Sequence, residues 1–172
     1  FHEYCGGVVA LRGDTSAEFT RQRAVLAALP SVWLSRPLGI LDGMAAAALV
    51  SMAGIGAGLY GWGRAMSSRL GGVAAVLAGA TLAPLVIFSR SLSFYPEVTA
   101  AFTLGMACAL AAARWRRGQD LLLCGLGAGL CFLIDLRGLL WGLTALGIGG
   151  LAVLAAPWRR WPLRLLALLL PV

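Results

Sequence analysis

From Gly39 onward the chain alternates long apolar runs with short breaks, and arginine falls mainly on every second break. A helix needs ~20 mostly apolar residues to cross the hydrocarbon core of a bilayer, so run length decides which segments qualify as spans. Gly39–Tyr60, Leu70–Phe88, Tyr95–Ala113 and Leu139–Ala156 reach or approach that length. Leu121–Ile134 is shorter; as a span it must tilt little, thin the bilayer locally, or draw the following Asp135 and Arg137 below the headgroups. Leu163–Val172 reads as the start of a sixth helix, which makes the chain a fragment of a longer protein. The expectation is an all-α, polytopic transmembrane helix bundle over residues 39–172, with about five complete spans plus the start of a sixth. Residues 1–38 precede it as an extracytoplasmic segment.

Composition agrees with that class. A chain that is 60% apolar and 12% charged does not present an ordinary water-facing surface. Its formal charge of +7 comes from fourteen arginines and no lysine. Because most of these flank apolar runs rather than forming one patch, they read as topology determinants and not as a nucleic-acid footprint. The odd breaks carry eight arginines (Arg64, Arg69, Arg114, Arg116, Arg117, Arg159, Arg160, Arg164) and the even breaks two, Arg90 and Arg137. The positive-inside rule then puts the odd breaks in the cytoplasm and the N-terminal segment outside. The absence of lysine hints at a GC-rich bacterial genome and so at a bacterial inner membrane, and the topology turns the candidate site outward.

On this topology Glu3, Asp42, Glu97 and Asp135 all fall on the outer side, while Asp120 is a cytoplasmic loop charge beside Arg116 and Arg117. Ionisable groups at membrane depth cost ~2.5–3.5 kcal/mol at a helix centre on insertion scales, so they tend to face a bundle interior or a water-filled cavity. Four carboxylates on one side, with Arg90 and Arg137 near them, therefore read as a candidate site. A structural reading stands beside each. Glu97 follows Pro96, and a proline and an acid both suit a first helical turn. Asp42 opens its helix in the same way, and Asp135 with Arg137 forms an interfacial ion pair worth ~1 kcal/mol or less.

Other signals exclude more than they suggest. Cys108, Cys124 and Cys131 lie inside apolar runs and Cys5 stands alone, so there is no disulfide framework or zinc spacing. His2 is the sole histidine. The glycines at 54, 56 and 58 and at 125, 127 and 129 lack a preceding soluble strand, so they are small faces for helix packing and not a nucleotide fingerprint. Trp62, Trp115, Trp141, Trp158 and Trp161 sit mostly at run boundaries, as interfacial indoles do. Thr15–Leu29 has the pattern of a short amphipathic surface helix that Pro30 ends.

The order of these features resembles a known family. An outer segment with an early acid and a surface helix leads into a span and a basic turn. Ala74 to Pro84 follows, then Ile87-Phe88-Ser89-Arg90 and the acid Glu97. Arg114-Trp115-Arg116-Arg117 then precedes the glycine-spaced helix Leu122–Leu130. This is similar to the N-terminal module of GT-C membrane glycosyltransferases, in particular bacterial glycosyltransferase family 39 and aminoarabinose-transferase-like proteins. The resemblance implies transfer of a sugar from a polyprenyl-phosphate donor to an acceptor at the outer face. It implies an acid of the first outer loop as catalytic base. Glu3 matches that place, with His2 before it where the family usually shows an acidic Asp-Glu pair. Glu97 matches the acid of the second outer loop, and Arg90 or Arg137 faces the donor phosphate by the same analogy. With Asp42 and Asp135 these form the expected substrate-binding set. Some members bind a divalent cation, which carboxylates at unknown separation do not decide. The expected partners are the lipid-linked sugar and membrane lipids, with no nucleic acid.

The competing class is a multi-pass transporter or flippase, in which the same charges bind substrate or relay protons. It predicts an inverted repeat and charges near the bilayer midplane, whereas here no repeat is evident and the charges lie at helix ends. A membrane scaffold without a site is the third reading.

Overall fold

A computed structural model describes residues 25–82, 95–134, 138–157 and 160–172. Among these residues there are seven α-helices and no strand: α1 (Val25–Leu38), α2 (Ile40–Met66), α3 (Arg69–Thr81), α4 (Tyr95–Trp115), α5 (Gly118–Ile134), α6 (Gly138–Leu154) and α7 (Trp161–Leu169). The expected all-helical class is what the described residues adopt.

The 27-residue α2 and the 21-residue α4 are long and apolar enough to cross a membrane. The helices of the three further runs are all shorter than a full span. α3 has 13 residues, and the rest of the Leu70–Phe88 run lies mostly outside the described residues. α5 and α6 have 17 each, or about 26 Å at 1.5 Å per residue against a ~30 Å hydrocarbon core. The apolar run Leu139–Ala156 overstates its helix, because the backbone leaves the α-helix after Leu154, ahead of Pro157.

α4 is the centre of the bundle, touching α2, α5 and α6. Its sequence explains the position. Ala100, Ala101, Gly105, Ala107, Ala109, Ala111 and Ala112 are all buried, so neighbouring backbones approach it closely. Gly54, Gly58 and Gly61 of α2 lie against Ala100, Thr103 and Ala107, which makes α2 and α4 parallel. Gly127 of α5 lies against Gly105 and Ala101, and Cys131 Sγ donates to the Val98 carbonyl at 3.9 Å, so α5 runs antiparallel to α4. α6 returns antiparallel to α5, with Cys124 Sγ 3.4 Å from the Ala145 carbonyl, and α7 packs on both through Leu168. Thr99 and Thr103 lie inside α4 without leaving buried hydroxyls unsatisfied, because each donates back to its own helix, to Tyr95 O at 2.8 Å and Thr99 O at 2.9 Å.

Residue size is distributed inversely to that of a water-soluble domain. The core is largely alanine, glycine and cysteine, whereas Leu49, Leu70, Leu77, Leu140, Leu151 and Leu163 are each more than 60% exposed. Leucine outside and small residues inside is the arrangement helices adopt when the surrounding medium is as apolar as their side chains.

The expectation that Pro30 ends a surface helix is corrected. α1 runs through Pro30 to Leu38, with Pro37 in its last turn. A mid-helix proline forfeits a backbone hydrogen bond, yet Ser31, Val32 and Ser35 are buried and α1 packs along α2, so tertiary contact overrides the local penalty. The Ser35 hydroxyl donates to Val32 O at 2.9 Å, and Ser35 backbone lies directly over Gly43. Gly39 is the one residue between the two helices, and its φ of 88° is a conformation that a side chain rarely adopts. The rest of the Thr15–Leu29 segment, up to residue 24, lies outside the described residues.

The central contact is testable. A Cβ placed on Gly127 would lie 2.8 Å from Gly105 Cα and 3.0 Å from the Ala101 carbonyl, both backbone atoms that do not yield, whereas one on Gly56 meets nothing within 4 Å. Gly127→Val is expected to lower stability by about 1–3 kcal/mol as α4 and α5 separate. Gly56→Ala is expected to be neutral or slightly stabilising, since alanine is the better helix former. Thermal unfolding of the detergent-purified protein compares the two.

Candidate functional site

Two charged side chains are buried among the described residues, Glu97 and Arg164, each 8% exposed. They mark opposite ends of the bundle, because Glu97 is in the first turn of α4 while Arg164 donates to the carbonyl just past its last turn.

At the Glu97 end the sequence explains placement directly. Tyr95-Pro96-Glu97 starts α4, with proline where an N–H has no helical partner and a carboxylate where the helix dipole favours negative charge. Val98 beside it accepts from Cys131 near the end of α5, so the carboxylate sits where α4 and α5 meet. Asp42 does not join it. The pairing of α2 with α4 puts Glu97 roughly level with Ser51, and Asp42 lies nine residues earlier, about 13 Å along the axis. Asp42 is exposed, in an open notch formed with Leu38, Gly39, Ile40 and Leu41, and it occupies the first turn of α2 as a favourable charge for that helix end. The sequence thus picks out Glu97 as a candidate acid, which the fold buries, and groups Asp42 with it where the register separates them. Glu3, Arg90, Asp135 and Arg137 lie outside the described residues. Among the described residues no three histidine, cysteine or carboxylate side chains converge as metal ligands would.

The other end gathers the basic breaks. Arg114 Nη1 donates to the carbonyls of Arg64 (3.3 Å), Ala65 (2.7 Å) and Ser67 (2.9 Å) at the end of α2. Arg164 donates to Arg116 O at 2.6 Å through Nη2 and to Ala152 O at 3.5 Å through Nη1, tying the ends of α4 and α6 to α7. The last carbonyls of a helix have no partner within it and carry the negative end of its dipole, so a guanidinium from another helix satisfies both needs. Arg116 itself adopts a left-handed backbone, φ 57°, in the turn that takes α4 into α5. The Arg64 guanidinium stands 5.5 Å from the centroid of the Trp115 ring, within cation–π range.

Sequence reasoning reads these arginines as topology markers and misses that two of them cap helices. A basic residue in the last turn would point Arg114 to the end of its own helix, whereas its acceptors end α2, 47 to 50 residues earlier. No local signal exists for Arg164, whose principal acceptor is 48 residues away in the chain. Asp120 is also relocated: it lies in the first turn of α5 and not in a loop, with Oδ2 buried and unpartnered among the described residues.

Removing the fork of Arg114 exposes its function. Arg114→Gln is expected to cost about 1–3 kcal/mol, with Arg114→Lys between it and wild type because an ammonium keeps the charge but not the planar geometry. Thermal melts in detergent read the difference.

No family model, curated protein or solved structure matches this chain, so its function is read from its own residues.

Proposed function

We propose that this chain is the membrane-embedded module of a polytopic glycosyltransferase, which moves a sugar from a polyprenyl-phosphate donor to an acceptor at the membrane face opposite the arginine-capped end. The membrane part of the reading rests on α2 and α4, each long enough to span, and on a leucine exterior around an alanine and glycine core. α3, α5 and α6 complete five crossings by using flanking residues or local thinning to make up their length. The gathering of the basic breaks at one end gives that end the character of a cytoplasmic face.

The single observation that carries the catalytic part is Glu97: a carboxylate buried in the first turn of the central helix, at the end away from the arginines. In the proposed reaction the acceptor hydroxyl or amine attacks the anomeric carbon, and a carboxylate takes its proton. The anomeric carbon–oxygen bond to phosphate breaks, and polyprenyl phosphate leaves with the electron pair. Glu3 is assigned as the base on resemblance, with Glu97 holding the acceptor or sharing the proton. Arg90 or Arg137 is assigned to the leaving phosphate, where positive charge stabilises the transition state. A donor whose tail stays in hydrocarbon needs its head group met at a helix end, which is where Glu97 is.

Transfer of labelled sugar from polyprenyl-phosphate donors by the full-length protein in membranes tests the proposal. Glu97→Gln is expected to reduce transfer by about 10²-fold or more with normal membrane insertion, and Glu3→Gln by a comparable factor. Substrate-dependent flux in proteoliposomes without transfer from any donor would replace the enzyme with a transporter.

A further inference from the structure

α2 and α4 run in parallel and in direct contact, with Gly61 against Ala107 and Arg114 bound to the last carbonyls of α2. Towards the arginine-rich end the outer surface of their seam dips into a cleft of about 240 Å³, lined by Ala57, Tyr60, Gly61 and Arg64 of α2 and by Leu104, Ala107, Cys108, Ala111 and Trp115 of α4. Its form follows from the side chains. Ala57, Gly61, Ala107 and Ala111 supply a shallow floor at helical spacing, while the ring of Tyr60 and the stacked Arg64–Trp115 pair form a taller rim at one end. Ala57, Leu104, Arg64 and Trp115 are exposed, so the cleft opens sideways, out of the bundle. The volume is below the ~300–1,000 Å³ typical of pockets for drug-sized molecules, and its lining is almost wholly apolar.

Charge decides the occupant. Arg64 has no carboxylate partner among the described residues, and its guanidinium stands over the Trp115 indole. Arg69, Arg114, Arg116, Arg117 and Arg160 are exposed at the same end, where Asp120 is the lone described acid. An apolar trough that ends at an unpaired cation and an indole is complementary to one chemistry: an acyl chain that ends in a phosphate. We propose that this cleft is a binding site for an anionic phospholipid, with one acyl chain along Ala57, Gly61, Ala107 and Ala111 and its phosphate on Arg64. The inference rests on the membrane reading and not on the transferase chemistry, since the cleft is at the end opposite Glu97. The lipid would cover the outward side of the seam between α2 and α4.

The test uses full-length protein extracted from membranes and mixed in detergent with phosphatidylglycerol or phosphatidylcholine of the same acyl chains, with retained lipid counted by native mass spectrometry. Wild type is expected to retain phosphatidylglycerol about tenfold over phosphatidylcholine. Arg64→Gln is expected to lose that preference, and Arg69→Gln, a cation of the same end outside the cleft, to keep it. Ala57→Phe, which fills the trough from an exposed position while leaving Arg64 in place, is expected to reduce retention of both lipids. Equal retention of the two lipids by wild type, or equal losses in the Arg64 and Arg69 variants, overturns the site while leaving membrane embedding intact. Release of the protein from membranes by alkaline carbonate overturns the membrane reading and the site together.

Discussion

The bundle depends on how closely backbones approach the central helix. α4 carries alanine, glycine and threonine over most of its buried face, and its partners present glycine at the points of nearest contact. Close approach replaces the large interlocking side chains of a soluble core with many short-range contacts between main chains. It also frees the leucines to face outward, so packing and exterior are two results of one sequence choice. Cys124 and Cys131 belong to the same scheme as small buried residues whose thiols reach carbonyls on neighbouring helices, which explains their position without any redox chemistry.

The two ends of this core differ in electrical character. At one, a carboxylate is held in the positive field of a helix start; at the other, guanidiniums are held in the negative fields of helix ends. Every helix has both fields, but alternating direction would cancel them in a simple antiparallel bundle. Here α2 and α4 are parallel neighbours that both terminate at one end, and Arg64, Arg114 and Arg116 cluster there. The chain therefore places its charges where the backbone already favours them.

Helix class, the location of most helices and the place of Glu97 in a first helical turn were legible in the sequence, because each follows from run length or from a local pattern such as Pro96-Glu97. Helix lengths were less so: an apolar run continues past the last helical residue when a proline follows, as Pro157 does after α6. The continuation of α1 through Pro30 was illegible, since it is set by contact with α2 and not by its own residues. The separation of Asp42 from Glu97 was hidden for a related reason. Both open a helix, and sequence position alone gives no offset between two parallel helices; that offset is set by which glycine meets which threonine or alanine.

The arginine caps have a consequence for how the chain is made. The carbonyls that end α2 are completed by Arg114, 47 to 50 residues later, and the carbonyl past α4 by Arg164, 48 residues later. At ribosomal rates of ~5–20 residues per second, each helix end waits about 2–10 s for its guanidinium, held meanwhile by water. One helical hairpin is thus finished only when the next has been synthesised. The chain records its own order of assembly, each new arginine acting as a latch on the segment laid down before it.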